Sequence, residues 1–230
     1  MFRNPISRIL PIFQRLMVAL LLGTAIVACT AKAPDHPFLP WDIKVLPDGT
    51  SAVFGVHLGK DSLLEFKRVY DQKAELAIFV DPDKKASLEA YFGTMNVGAL
   101  TANVTIVAKT DPKELNEWIA KNHAKPDPTP SGAWKYPMTD EHIRKAQYFP
   151  IESITYAEYT TDLIDRHFGK PDEIRNTKGS TQYWLYPKKG LLIAVNSDGK
   201  DLFQYISPKD FSMLAATIPQ DATPEQPASK

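Results

Sequence analysis

The chain has 230 residues, in which 27 Lys and Arg balance 27 Asp and Glu. With 43% hydrophobic residues the chain can bury a core, and no cluster of basic residues is dense enough to indicate nucleic-acid binding. Cys29 is the only cysteine, which excludes an internal disulfide bond.

The first 28 residues have the organisation of a signal peptide. Arg3, Arg8 and Arg15 form a positive N-terminal region, and an apolar run follows at 16–28. A helix that spans a membrane needs about 20 apolar residues, so this run is too short to serve as a transmembrane anchor. We therefore predict that residues 1–28 are a cleaved signal peptide.

The tetrapeptide Ile26-Val27-Ala28-Cys29 resembles the lipobox of bacterial lipoproteins. In that family the cysteine thiol carries a diacylglycerol, with acyl chains such as palmitate, and becomes the mature N-terminus. The resemblance implies a chain anchored in the bilayer through acylated Cys29 and facing the periplasm. Thr30 stands where an aspartate tends to retain such proteins at the inner membrane, which favours the outer membrane. Secretion with an unmodified Cys29 is the alternative.

Proline-rich segments divide the rest of the chain. We predict an extended tether at 29–40, a linker at 125–150 and a disordered tail at 219–230. Two folded units are expected between them, at 41–124 and 151–218.

The first unit begins with an alternating strand pattern at 52–58. A helix should follow, since Ser62 and Glu65 have the spacing of a capping box. Pro112 is suited to the first turn of a second helix, which should reach about Asn122. Between the two helices we expect a meander with strands at 74–80, 87–92 and 100–106.

The second unit repeats this plan. A strand is expected at 153–158, although Tyr156 and Tyr159 could equally extend the next helix, which ends at Gly169. Three more strands are expected at 182–186, 191–195 and 202–206. The sequence thus predicts an α+β fold of two similar units. Each is a helix packed on a three-stranded antiparallel meander, with a strand expected before it.

Three runs in the second unit are Phe168-Gly169-Lys170-Pro171, Tyr183-Trp184-Leu185-Tyr186 and Val195-Asn196-Ser197-Asp198-Gly199. Together they resemble the small lipoprotein accessory subunit of the outer-membrane β-barrel assembly machine. The resemblance covers residues 160–206 and implies helices paired with a three-stranded antiparallel sheet. The chain departs from that family at Ala157-Glu158-Tyr159, where a glycine usually precedes the helix.

The sequence contains no recognisable catalytic or metal-binding motif. The five histidines lack the His-Glu-x-x-His spacing, and neither a nucleophile elbow nor a phosphate-binding loop is present. We therefore expect no metal, no cofactor and no catalytic residue. Asp162, Asp165, Arg166 and His167 could form a substrate clamp with a proton shuttle. We favour the alternative, a solvated helix face with a charge pair.

Aromatic residues crowd the strand expected at 182–186. Tyr183 and Leu185 should face one side of it, and Trp184 and Tyr186 the other. An exposed pair could anchor a partner protein or stack on sugar rings of peptidoglycan or lipopolysaccharide, while a buried pair would belong to the core. Trp184, Tyr186 and Tyr183 are the predicted partner-binding residues.

Two classes of function follow from these observations. The first is a membrane-anchored envelope lipoprotein that acts as a non-enzymatic interaction or scaffold module, with an envelope protein or a glycan as partner. The alternative is a periplasmic or cell-wall enzyme whose catalytic residues are dispersed in the sequence.

Overall fold

Among the residues that the structure describes, eleven strands form one large antiparallel sheet. The structure is a computed structural model that describes residues 38–98, 100–158 and 162–225. Cys29 and the signal peptide lie outside the described residues, so both stay predictions. Within the described part of the chain, no helix has the length and apolar character to cross a membrane.

The strands form two sheets. The smaller one has the order β1-β2-β3, with β1 at Lys44–Val45, β2 at Ser51–Val53 and β3 at Val56–His57. The strands of the large sheet are β4 Glu75–Val80, β5 Ala86–Val97, β6 Leu100–Ala108, β7 Asp127–Pro128, β8 Trp134–Tyr136, β9 Ile151–Glu158, β10 Glu173–Asn176, β11 Thr181–Tyr186, β12 Leu191–Asn196, β13 Asp201–Ile206 and β14 Thr223–Pro224. Their order is β14-β10-β11-β12-β13-β9-β6-β5-β4-β8-β7.

The helices in the described residues are short. They are α1 Leu63–Tyr70, α2 Pro112–Lys121, α3 Asp140–Ala146, α4 Asp162–Phe168 and α5 Phe211–Ala215, with 3₁₀ turns at Pro187–Lys189 and Pro208–Asp210.

The predicted fold of two helix-on-meander units is wrong, because β9 joins both halves in one sheet. Thr155 of β9 lies opposite Thr105 of β6 on one side and opposite Gln204 of β13 on the other. Each meander alone would leave a row of unpaired backbone groups at its edge, and β9 pairs with both edges. The described residues therefore form one mostly β unit.

Several strands lie where none was expected. The segment at 125–150, interpreted as a linker, contains β7, β8 and α3, and β8 pairs with the last three residues of β4. Strands β10 and β14 extend the sheet at its other edge, beyond β11. Both outermost strands have two residues and contain a proline, Pro128 in β7 and Pro224 in β14.

The single strand predicted at 52–58 is instead a hairpin. Strands β2 and β3 are joined by Phe54 and Gly55, whose φ angles are 54° and 75°. Two successive residues with positive φ match the twist of a tight hairpin, so the alternating pattern concealed a turn. Phe54 is held in this conformation by burial, with its ring centroid 5.1 Å from that of Tyr205.

Local signals for helix starts are confirmed. The Ser62 backbone N–H donates to Glu65 Oε2 at 2.8 Å, which is half of the predicted capping box at the start of α1. Helix α2 begins at Pro112, and the Asp111 carboxylate accepts from the Lys113 backbone N–H at 2.9 Å.

The faces of the large sheet are covered unequally. Helices α1, α2 and α4 bury one face along the sheet, and Phe66, Trp118 and Phe168 belong to this main core. Helix α5 packs on the opposite face of β11–β13, where Phe211 and Leu214 belong to a second buried cluster with Leu192. On β5 that opposite face is more open, since Tyr91 is 47% exposed.

Candidate functional site

The alternation predicted for β11 is confirmed, and both of its faces are covered. Leu185 and half-buried Tyr183 pack with the α5 cluster, whereas Trp184 and Tyr186 contact the main core. Tyr186 is only 2% exposed, and its hydroxyl donates to the Gly169 carbonyl at 2.8 Å. Tyr186 is therefore a core residue and cannot serve as the partner contact that the sequence analysis assigned to it.

Trp184 keeps part of its surface accessible. In the strand register Trp184 lies opposite Ile174 of β10 on one side and Ile193 of β12 on the other, and its side chain is half-buried against the main core. The indole Nε1 donates to Gln182 Oε1 at 3.3 Å. Trp184 is thus fixed beside an exposed amide at the end of β11.

A cleft of about 450 Å³ lies at this end of the sheet, and we call it the polar cleft. Strands β10, β11 and β12 and the turn between β10 and β11 form it. Amide and hydroxyl side chains dominate its lining, and none of the described residues in that lining is ionisable. Its polar lining includes the side chains of Asn176, Thr177, Thr181, Gln182, Asn196 and Ser197.

Cross-strand pairing positions the amides of the polar cleft. Asn176 lies directly opposite Gln182, and Gln182 Nε2 donates to Asn176 Oδ1 at 2.8 Å. Thr181 lies opposite Asn196, and the Thr181 hydroxyl donates to Asn196 Oδ1 at 2.6 Å. Each amide is therefore held from a neighbouring strand rather than left free to rotate.

The turn between β10 and β11 shapes the rim of the polar cleft. The Thr177 hydroxyl donates to the Thr181 carbonyl at 2.8 Å and accepts from the Gly179 backbone N–H at 3.2 Å. On the far side, the Asn196 backbone N–H donates to Asp201 Oδ1 at 2.8 Å. These bonds fix the backbone on both sides of the opening.

None of the residues that line the polar cleft was predicted as a binding residue, although Val195, Asn196 and Ser197 belong to a run that resembles the assembly-machine lipoprotein. Asn, Ser and Thr are the usual residues of turns, so their presence at 176–181, before the expected strand at 182–186, is typical of a loop and does not by itself indicate a binding site. The short strand β10 was not predicted, and only its register brings Asn176 against Gln182.

A second cleft, of about 380 Å³, lies between the β4–β5 hairpin and the turn that joins β7 to β8. We call it the charged cleft, because Asp81, Lys85 and Glu89 belong to its lining. The Ser87 hydroxyl donates to Glu89 Oε1 at 3.0 Å. Burial raises the pKa of Glu89, and the Ser87 hydroxyl opposes this shift.

One hydroxyl near the small sheet lies between a carboxylate and an imidazole. Thr50 Oγ1 is 2.5 Å from Asp48 Oδ1 and 2.5 Å from His57 Nε2. Hydrogen bonds from Lys60 and Thr50 lower the pKa of Asp48, so its carboxylate can only accept. The Thr50 proton therefore points to Asp48, and His57 Nε2 donates to Thr50.

This arrangement does not suit nucleophilic catalysis. A hydroxyl nucleophile must give its proton to the histidine, which is the reverse of the direction found here. Thr50 is also only 2% exposed, so a substrate cannot reach it. We assign Asp48, Thr50 and His57 to the stabilisation of the turn before β2.

The charged group on α4 also has a structural arrangement. Asp165 and Arg166 are exposed, while the His167 ring stacks on Trp41 with centroids 3.8 Å apart and an interplanar angle of 12°. The side chain of Asp162 lies outside the described residues. The stacking of His167 favours the interpretation of α4 as a solvated helix with one packed histidine.

No three His, Cys, Asp or Glu side chains come together, in the part of the chain that is described, in a way that could hold a metal ion. Comparison of the chain with protein-family models, with curated protein sequences and with solved structures gave no match in any of the three.

Proposed function

We propose that the protein is a lipoprotein of the bacterial cell envelope that acts by binding a partner. In this proposal acylated Cys29 anchors the chain, the folded part faces the periplasm, and the outer membrane is favoured. The lipobox resemblance of Ile26-Val27-Ala28-Cys29 supports the anchor. Two acyl groups or more give firm attachment, since each buried methylene contributes about 0.8 kcal/mol.

The observation that carries the binding role is the polar cleft. Its amides are held in fixed positions by cross-strand hydrogen bonds, as in the pairs of Gln182 with Asn176 and of Thr181 with Asn196. Polar groups at fixed positions in a concave site set the orientation of a ligand, and their pre-organisation reduces the entropy that is lost on binding. In this proposal the partner binds at the polar cleft and near Trp184, one of the predicted contact residues. The buried Tyr186 takes no part in the contact.

Intact-mass spectrometry of membrane-extracted protein tests the anchor. We expect an acylated chain that begins at Cys29. Cys29→Ala should leave the protein unacylated and release it from the membrane fraction. Thr30→Ala, a change at the next residue, should be acylated like the wild type and serves as the control.

An unmodified Cys29 in wild-type protein that is soluble in the periplasm would overturn the proposed anchor. A chain that retains Met1 would overturn it as well. Melting curves of Cys29→Ala and wild-type protein exclude misfolding as the cause of release.

A further inference from the structure

We infer that the polar cleft binds an uncharged carbohydrate, with Trp184 at the edge of the site. The inference rests on the proposed binding function and names its class of ligand. It follows from the chemistry of the lining, from the hydrogen bonds that hold its amides, and from the position of one indole ring.

The lining suits a ligand rich in hydroxyl groups. Amide and hydroxyl side chains both donate and accept hydrogen bonds, as sugar hydroxyls do, and these groups dominate the polar cleft. Among the described residues that line the cleft, none offers an opposite charge to an ionic ligand. The nearby guanidinium of Arg175 is already engaged, since its Nε donates to Glu173 Oε1 at 2.7 Å.

The amides of the cleft keep hydrogen-bonding capacity after they have paired. Asn176 accepts through Oδ1, and its Nδ2 carries two hydrogens that a sugar oxygen can accept. Gln182 uses one Nε2 hydrogen for Asn176 and has a second. Because the pairing already restricts both side chains, a ligand would bind with a smaller loss of side-chain entropy.

Apolar surface lies next to these polar groups. Trp184 is on the same strand face as Gln182, and its Nε1 donates a hydrogen bond to Gln182 Oε1. Val195, opposite Gln182, is 9% exposed and contributes to the lining. One face of a sugar ring carries C–H groups, which pack well on an aromatic ring while the hydroxyls reach the amides.

The volume of the cleft is also suitable. At about 450 Å³ it falls in the lower half of the range of about 300 to 1,000 Å³ that is typical of small-molecule sites. Such a space accepts one or two sugar rings of a longer glycan. Two envelope sources share this chemistry: N-acetylated glycan strands of peptidoglycan and the neutral sugars of lipopolysaccharide.

Calorimetric titration of the full acylated chain in detergent tests the inference. The probes are the trisaccharide of β-1,4-linked N-acetylglucosamine and maltotriose, which lacks acetamido groups. We expect at least one to bind with saturation. Tighter binding of the first would identify N-acetylated strands as the source, and equal binding would identify recognition of hydroxyl groups alone.

Gln182→Ala should weaken binding at least tenfold, because it removes one amide and releases Asn176 and Trp184. Asn176→Ala should act in the same direction and provides a second variant if the first is poorly folded. Gln204→Ala changes a glutamine on β13 that is absent from the lining, and it should bind like the wild type.

Absence of saturable binding of both trisaccharides, or equal weakening by Gln182→Ala and Gln204→Ala, would overturn the inference. The outcome is independent of the anchor. An acylated chain that binds no sugar would refute the ligand class alone, whereas sugar binding by an unacylated wild-type chain would refute the anchor alone.

Discussion

The two halves of the large sheet differ in how many of their faces are packed against other elements, although each contains a glycine with nearly the same φ angle. Strands β11–β13 are packed on both faces, whereas β5 presents one partly open face with Tyr91 and Glu89. Gly190, before β12, has a φ angle of 66°, and Gly93, in β5, has 65°. Backbone conformation alone therefore does not determine how much stability is lost when either glycine is replaced. The atoms around each glycine also matter.

The largest contrast is expected between Gly190→Ala and Gly93→Ala. A Cβ atom at 190 would lie 1.9 Å from the Ile206 carbonyl oxygen, whereas the nearest atom at 93 is 3.9 Å away in Tyr91. The left-handed conformation should cost about 1–2 kcal/mol at both positions. The clash should raise the loss at 190 above about 4 kcal/mol.

Urea unfolding followed by circular dichroism measures this contrast. Equal urea midpoints for the two alanine variants would show that the half packed on both faces accommodates an added methyl group as easily as the half with one open face. That result would contradict the comparison.

A tyrosine in each half provides the second contrast. Tyr186→Ala removes a ring that is 2% exposed, and the resulting cavity should reduce the free energy of unfolding by about 3–5 kcal/mol. Tyr91→Ala removes a ring that is 47% exposed and should change it by less than about 0.5 kcal/mol. Thermal melts of both variants test this. A small loss for Tyr186→Ala would show that its ring is not a core element.

The smallest expected effect concerns pH and the charged cleft. Burial raises the pKa of Glu89 above its ordinary value of 4.5, so the folded chain binds more protons than the unfolded chain in the window above that value. Stability from Glu89 is therefore full below the ordinary pKa and falls as pH rises through the folded pKa. Glu89→Gln should be more stable than wild type near pH 7, because the neutral amide avoids the cost of burying a charged carboxylate.

The pH dependence of the melting temperature checks this prediction. The advantage of Glu89→Gln should shrink as pH falls to about 4, where the wild-type carboxyl is protonated. Ser87→Ala should raise the pKa of Glu89 further, since it removes a hydrogen bond that lowers this pKa. The pH range over which the stability of the chain depends on Glu89 should then be wider. An advantage that is constant with pH would exclude titration of Glu89 as its cause.

Features that depend on neighbouring residues were predictable from the sequence. Ser62 and Glu65 are three residues apart, and Pro112 has no backbone N–H to lose at a helix start, so both helices begin as expected. The turn at Phe54 and Gly55 was missed, because a buried aromatic residue with positive φ has no local signal. Only packing on Tyr205 and its neighbours explains it.

Features that depend on distant residues were not predictable. The pairing of β9 with β6 and β13 joins segments separated by dozens of residues, and alternation shows only which residues share a face. The same limit applies to the site. Alternation separated Tyr183 from Trp184 correctly, but the cover that buries Tyr186 and the register that places Asn176 come from other elements.

The two edge strands of the large sheet, β14 and β7, have a consequence for neighbouring copies of the chain. Among the residues that the structure describes, the outermost strand at each edge has two residues, one of them Pro128 or Pro224, and proline offers no N–H for another strand. Proteins tethered to one leaflet, as proposed here, meet each other at high local density. Sheets that stop in this way resist edge-to-edge fusion, so a crowded surface can keep its molecules separate and their clefts accessible.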